Sequence, residues 1–429
     1  PPRSTPKPSS AASDVYKRQI LLILIKEGYM KITKMIYVIM FSSLLGIFST
    51  ANSGELCTEC LKKVPQEMRD YVYNMDFMDK DQPLGPAVMK GWKSPRKPPW
   101  TIGYASTYAG NTWRKGAMER LMEVVYPKWK ALGMVDEIVI TQSNLDDSLQ
   151  IQQMRQMIDG GKVDAIIICC SNITALNTTI KYGWEKGIPT LSFTGFTTSP
   201  YSINTSVNYR LVGYYVGAWM AELIGEKGNV IVIEGIPGYS ASDQQNKGVL
   251  AALSEFPDVN VVGQLAHNWT SQVAQKELSQ WLSTNTKKVD GIAVQSSGET
   301  GTLQALLQSG LDPIPPIALG GELGALCYWR QNPGYIDEAI YAWPPGDEVE
   351  LGMDVMIRTL QGQSPMIQSI LVGPATKNFD EISQILNEDC DRNSTGWDNP
   401  GMDKWAPKEY VEAFFENPSD PTKYDPKSH

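Results

Sequence analysis

The chain has 429 residues, 42% of them hydrophobic and 20% charged, with a formal net charge of −9 at pH 7. That length holds two domains with separate cores. The acidic balance excludes the basic surface that a nucleic-acid partner requires, and the most positive run, Lys90 to Lys97, is broken by proline and reads as a solvated linker.

Residues 1–29 have the character of a non-native leader and are set aside from fold reasoning. Met30 opens a second start, in which Lys31 and Lys34 precede an apolar core of 14 residues, Met35 to Phe48. Ala51-Asn52-Ser53 puts small residues where a signal-peptide cleavage site needs them. The apolar core is shorter than the roughly 20 residues that span a bilayer. Residues 30–53 are therefore expected to be a secretory signal cut near Ser53. Glu55 argues against a lipoprotein box before Cys57.

Residues 54–99 read as an N-terminal extension and linker, with one helical stretch from about Leu61 to Met78 before Gly/Pro punctuation. After Trp100, strand-like apolar runs fall at Thr101–Ser106, Glu137–Thr141, Val163–Cys169 and Ile188–Phe193. Between them lie amphipathic stretches near Trp113–Leu132, Asp146–Asp159 and Ala175–Lys186. The rhythm then repeats, with strands at Asn229–Glu234, Val259–Gln264, Gly291–Gln295 and Pro316–Leu319. Their helices are expected near Ser242–Glu255, Ser271–Thr284 and Glu299–Gln308. A later strand, Glu338–Trp343, leads into a helix at Asp347–Leu360. Such alternation predicts an α/β protein built of two parallel-sheet halves with covered faces. Ligands in open α/β sheets sit outside the carboxyl ends of the strands.

Those ends carry Ser106, Tyr108, Asn111 and Trp113, then Ser171 and Asn172, then Thr194 in the first half. The second half offers Tyr239, Ser240, Gln245, Asn268, Trp269, Ser296, Ser297 and Glu322. Hydroxyls, amides and flat aromatics suit a neutral polyhydroxylated molecule, with apolar walls setting its orientation. Each residue also has a plainer reading. Ser106 and Asn111 suit helix caps, Trp113 and Trp269 suit ordinary packing, and Glu322 suits a helix N-terminus. Recurrence at one edge of both halves carries the binding reading.

Catalysis finds little support. His267 is the only internal histidine, and no nucleophile elbow, Walker loop or dinucleotide glycine fingerprint is present. No cluster suggests a metal. Cys57 and Cys60 form either a small structural disulfide or two free thiols, since zinc would need two further ligands. Export permits disulfides, and Cys327 and Cys390 are expected to pair across a long loop. Cys169 and Cys170 end a strand and are expected to be reduced.

From Trp100 to about Asp380 the sequence resembles the ribose-type sugar-binding proteins of ABC importers, the type I periplasmic binding proteins. The resemblance rests on Ile102-Gly103, Ser106-Thr107 and Asn111, on Val163-Asp164-Ala165-Ile166-Ile167, and on Gly187-Ile188-Pro189. It continues through Gly235-Ile236-Pro237-Gly238, with Gly248 ten residues on, and Val289-Asp290-Gly291-Ile292. It implies two Rossmann-like lobes with parallel sheets joined by a three-strand hinge. Residues 100–206 plus 346–371 would form lobe 1, and 207–345 plus 372–386 lobe 2, with a tail at 387–429. The crossings would fall near Thr205–Asn208, Trp343–Gly346 and Leu371–Pro374.

By the same resemblance, ligand contacts would fall on Ser106, Asn111, Trp113, Cys169 or Ser171, Thr194, Gln245, Trp269, Ser296 and Glu322, with Ala342 or Trp343 at the hinge. Thr194-Gly195 and Gln245 stand where the ribose-type pattern has arginines, which removes forked donors. A bulkier or less polar ligand than ribose is expected. The implied role is delivery of a sugar-like molecule to an ABC permease in the inner membrane, by a cofactor-free periplasmic monomer that binds no nucleic acid. A ligand-sensing receptor is the alternative, and a sugar-modifying enzyme the more distant third. In the tail, Trp397, Trp405, Phe414 and Phe415 are expected to pin it onto a lobe, with a partner surface the weaker reading.

Overall fold

The computed structural model describes residues 55–169 and 172–429. The expected leader and signal, together with Cys170 and Ser171, lie outside the described residues. The strands of the first half are β1 (Trp100–Ser106), β2 (Val135–Gln142), β3 (Ala165–Ile168), β4 (Thr190–Phe193) and β5 (Ser202–Val207). The second half supplies β6 (Lys227–Glu234), β7 (Asp258–Ala266), β8 (Gly291–Val294) and β9 (Glu338–Tyr341). Then come β10 (Ser369–Val372) and β11 (Ala375–Asn378).

Six strands form one sheet in the order β10-β5-β4-β3-β1-β2, with every neighbouring pair parallel. A second sheet runs β7-β6-β8, also parallel. The Pro316–Leu319 segment extends it through a single bridge between Ile292 and Ile317 rather than a full strand. Beside it the Ile340 amide bonds the Leu319 carbonyl, and β11 closes that edge antiparallel to β9. Central β3 and β4 are wholly buried, as their apolar runs require, while edge strands β2 and β7 are largely half-buried or exposed.

The helices follow the expected rhythm with three informative departures. The stretch predicted as Trp113–Leu132 is helical over Thr112–Arg120, a π turn over Leu121–Val125, and helical again over Tyr126–Ala131. Pro127 has no N–H to continue the regular ladder, so the turn widens there. The predicted Leu61–Met78 helix is regular only over Gln66–Val72. Pro65 precedes it, and Asn74 starts a separate turn by accepting the Asp76 amide. Helices at Tyr209–Leu223 and Leu323–Gln331 add to those expected. The first packs so closely on Ser240–Leu253 that a Cβ on Gly213 would lie 1.9 Å from the Gln245 carbonyl oxygen. Glycine at that position lets the two backbones touch.

Three passages join the sheets: β5 through Asn208 into the Tyr209 helix, β9 through residues 342–344 into the helix Pro345–Leu360, and β10 through Gly373-Pro374 into β11. Both chain-terminal segments clamp the third passage. Tyr73 accepts the Leu371 amide at 2.9 Å and donates to the Ser369 carbonyl at 2.9 Å. Tyr410 donates to the Leu371 carbonyl at 2.6 Å. These are the groups of β10 that point away from β5, so the tyrosines complete its open edge. The tail is fastened by disulfide Cys327–Cys390, crosses Glu322 as a short bridge at Trp397, and buries Trp405, Phe414 and Phe415. Cys57 and Cys60 form a second disulfide, and Cys169 is free.

Candidate functional site

Each sheet places its first strand between the second and third, the order 2-1-3, so a crevice opens at the carboxyl ends beside β1 and β6. The two crevices face one another across a cavity lined from both sides. The first lobe lines it with Asn111, Trp113 and Arg114 after β1, and Thr194 after β4. The second lobe contributes Tyr209, Ala241, Gln245, Trp269, Ser296 and Ser297, and the second passage gives Ala342 and Trp343. The gap is narrow, with Cys169 Sγ of the first lobe 3.8 Å from Tyr239 Oη of the second.

Several wall residues are held by bonds that fix their orientation. Asn111 caps the following helix by accepting the Arg114 amide at 2.9 Å. The Trp113 indole donates to the Trp343 carbonyl at 2.9 Å, while Trp269 packs edge-on against Tyr239 at 5.0 Å. A Cβ on Gly235 would lie 2.2 Å from Trp269 Nε1, so only glycine admits the ring there. Thr194, Trp269 and Ser297 all adopt left-handed backbone, with φ of 57°, 54° and 77°. Such conformations cost roughly 1–3 kcal/mol each and gather at ligand clamps.

Two buried ionisable side chains stand beside the cavity. Arg114 sits over the Trp113 ring at 4.9 Å and points one nitrogen at the sulfur of Cys169. Glu348 accepts the Thr194 hydroxyl at 2.8 Å. Burial pushes its carboxyl up to about 8, against the opposing pull of the Thr194 bond and the Arg114 charge.

Of the residues singled out from sequence, Asn111, Trp113, Thr194, Gln245, Trp269, Ser296 and Trp343 meet on this wall. Ser171 lies outside the described residues. Ser106 and Cys169 are buried at the ends of β1 and β3 and do not line the cavity. Glu322 also stands apart from the cavity. It accepts the Thr300 amide at 2.9 Å and lies against Glu299. Burial, then the neighbouring Glu322, raise Glu299 well above the usual carboxylate range, and Glu299 in turn holds the amides of Ser297 and Gly320. A carboxylate so engaged supports the loop under Ser297 rather than reaching into the cleft.

Sequence reasoning passed over Arg114, Tyr209, Ala241 and Glu348. Arg114 adjoins Trp113 in the strand-to-helix stretch already singled out, and helical position alone did not say which way it turned. It reaches the cavity from a position other than the two, Thr194-Gly195 and Gln245, where the ribose-type pattern has arginines. Among the described residues, no group of His, Cys, Asp or Glu side chains is arranged to hold a metal ion. None of their helices is long and apolar enough to cross a membrane.

The profile of the family described as periplasmic binding protein domain matches residues 102–364, more than half the chain. A xylitol-binding protein of Mycolicibacterium smegmatis is 29% identical over 187 residues, which are 43% of this chain and 53% of that protein. The alignment thus spans about half the length of that curated relative. Among solved structures, an ABC transporter periplasmic solute-binding protein from Actinobacillus succinogenes with bound D-allose has a TM-score of 0.57 at 20% identity. The match covers 66% of this chain and 99% of that one. An ABC transporter solute-binding protein from Bacillus halodurans with bound myo-inositol has a TM-score of 0.59 at 16% identity, covering 68% and 98%. At these identities the structural likeness establishes the fold.

Proposed function

The chain belongs to the periplasmic binding protein family, and from that premise we propose that it captures one sugar or sugar-like polyhydroxylated molecule between its lobes. Closure over the ligand then presents it to an ABC permease in the inner membrane. The protein acts as a periplasmic monomer and catalyses nothing. The observation that carries this reading is the composition of the cavity, whose wall draws on both lobes and on the second passage. A ligand touching both lobes stabilises the closed arrangement over the open one by the difference in contacts. Relatives described as binding a polyol or carrying a sugar support the ligand class.

The test is a melting-temperature screen of the purified protein against sugars, polyols and their acid derivatives, with product analysis of every compound that binds. Mass spectrometry of material released on denaturation identifies a co-purified ligand. A raised melting temperature without chemical change supports the proposal. No shift with any compound, or turnover of one, overturns it.

A further inference from the structure

The interior of the cleft holds a buried guanidinium whose donors the protein itself does not use up. Arg114 is only 7% exposed and lines the cavity. A guanidinium has five N–H donors and no means of losing its charge. One nitrogen, Nη2, is spent on the sulfur of Cys169, a weak acceptor. Nη1 is buried and has no hydrogen-bond partner among the described residues. The ring of Trp113 lies against the guanidinium at 4.9 Å, which holds the group in place without neutralising it.

The carboxyl nearest in role is Glu348, and it is a poor counter-ion. Its Oε2 accepts the Thr194 hydroxyl, and its Oε1 is buried without a partner among the described residues. Burial raises its proton affinity, which opposes the ionisation a counter-ion needs. Among the described residues Arg114 thus has no full counter-charge, and a buried cation is costly to leave unpaired. Around it, Asn111, Gln245, Ser296 and Ser297 supply neutral donors and acceptors of the kind that hold hydroxyls.

We propose that the ligand is an acidic polyol, a sugar acid of the aldonate or uronate class, whose carboxylate pairs with Arg114 while its hydroxyls meet the amides and serines of the opposite lobe. This rests on the cleft-binding function proposed above and narrows its ligand class. A carboxylate offers the two acceptor oxygens that a guanidinium fork fits, and the resulting bonds are charge-assisted. The hydroxyls of a neutral sugar can accept from the same donors but bring no counter-charge.

The experiment compares matched pairs on the wild-type protein by calorimetry at pH 7: xylitol with xylonate, glucose with gluconate, galactose with galacturonate. The expected result is that at least one acid binds ten-fold or more tightly than its neutral parent. Arg114→Gln should then weaken binding of the acid at least ten-fold more than it weakens binding of the neutral parent, removing most of that preference. A neutral parent that equals or exceeds its acid in every pair that binds overturns the inference and leaves cleft binding of sugars standing. Binding by no member of any pair, with no shift in the wider screen, overturns the cleft function itself. Should Arg114→Gln fail to fold, the wild-type comparison still decides.

Discussion

Trp113 and Trp343 are joined by a 2.9 Å hydrogen bond from the indole N–H of the first to the backbone carbonyl of the second. One belongs to the first lobe's helix start and the other to the second passage between sheets, so the bond ties a cavity wall to the hinge. Trp113→Phe keeps an aromatic face and deletes the donor. Loss of a buried bond of this type costs about 0.5–1.5 kcal/mol. Ligand affinity measured by calorimetry should fall several-fold with little change in fold, and unchanged affinity would show that the bond does not set the wall.

Trp269 faces the cavity from the second lobe and owes its place to Gly235. Trp269→Ala should weaken binding by about 1–3 kcal/mol, the worth of a buried aromatic wall. Gly235→Ala should do the same without touching the ring, because the added methyl would lie 2.2 Å from Trp269 Nε1. If Gly235→Ala binds like the wild type while Trp269→Ala does not, the ring tolerates a shifted position.

Glu299 bonds the Ser297 and Gly320 amides at 2.9 Å each. Glu299→Ala leaves both without an acceptor, at about 1–3 kcal/mol apiece. Glu299→Gln retains one acceptor oxygen and should cost less in urea unfolding. Ser297 lines the cavity, so the alanine variant should also lose affinity. Equal stability of the two variants would remove the carboxyl's supporting role.

The Cys327–Cys390 disulfide closes a loop with a sequence separation of 63. A cross-link of this span stabilises by roughly 2–4 kcal/mol. Cys327→Ser with Cys390→Ser should lower the melting temperature, and do so more than Cys57→Ser with Cys60→Ser, whose separation is 3. A double variant that melts like the wild type would mean the tail is held by packing alone.

His267 is fully buried, and burial lowers its pKa from 6.5 to about 4. The folded state therefore binds fewer protons than the unfolded one between those values. The contribution of neutral His267 is fully present above pH 6.5 and is lost as the pH falls from there through about 4. Its size is on the order of 3 kcal/mol. Glu348, with its raised pKa, works in the opposite direction, so the informative quantity is the difference between wild type and His267→Gln. That difference should change with pH between 6.5 and 4, and a constant difference would contradict the assignment.

The parallel sheets were legible because their strands are continuous apolar runs separated by amphipathic stretches, as in Val163–Cys169 and Gly291–Gln295. β5 was legible only as a passage, because its residues, Ser-Ile-Asn-Thr-Ser-Val, are polar and yet wholly buried. The Tyr209 helix was missed where glycine and tyrosine interrupt the usual pattern, although those glycines are what let it touch its neighbour. At the cavity, residue type and position at strand ends sufficed for Asn111, Gln245 and Ser296. The left-handed backbones of Thr194, Trp269 and Ser297 leave no mark in sequence, since nothing local favours them. Arg114 and Glu348 escaped for a related reason: what matters about each is burial, which tertiary packing decides.

The clasp on β10 bears on how the molecule is assembled. Leu371 receives one of its edge bonds from a residue 298 positions away and the other from one 39 positions away. Contacts of long sequence separation form late because their loops must close first. Until both tyrosines arrive, the outward groups of β10 are an unpaired strand edge, a template on which a second chain can add. The exposure is thus one of time rather than of surface. It lasts from the formation of the first sheet to the docking of Tyr410, and the finished protein offers no such edge at β10.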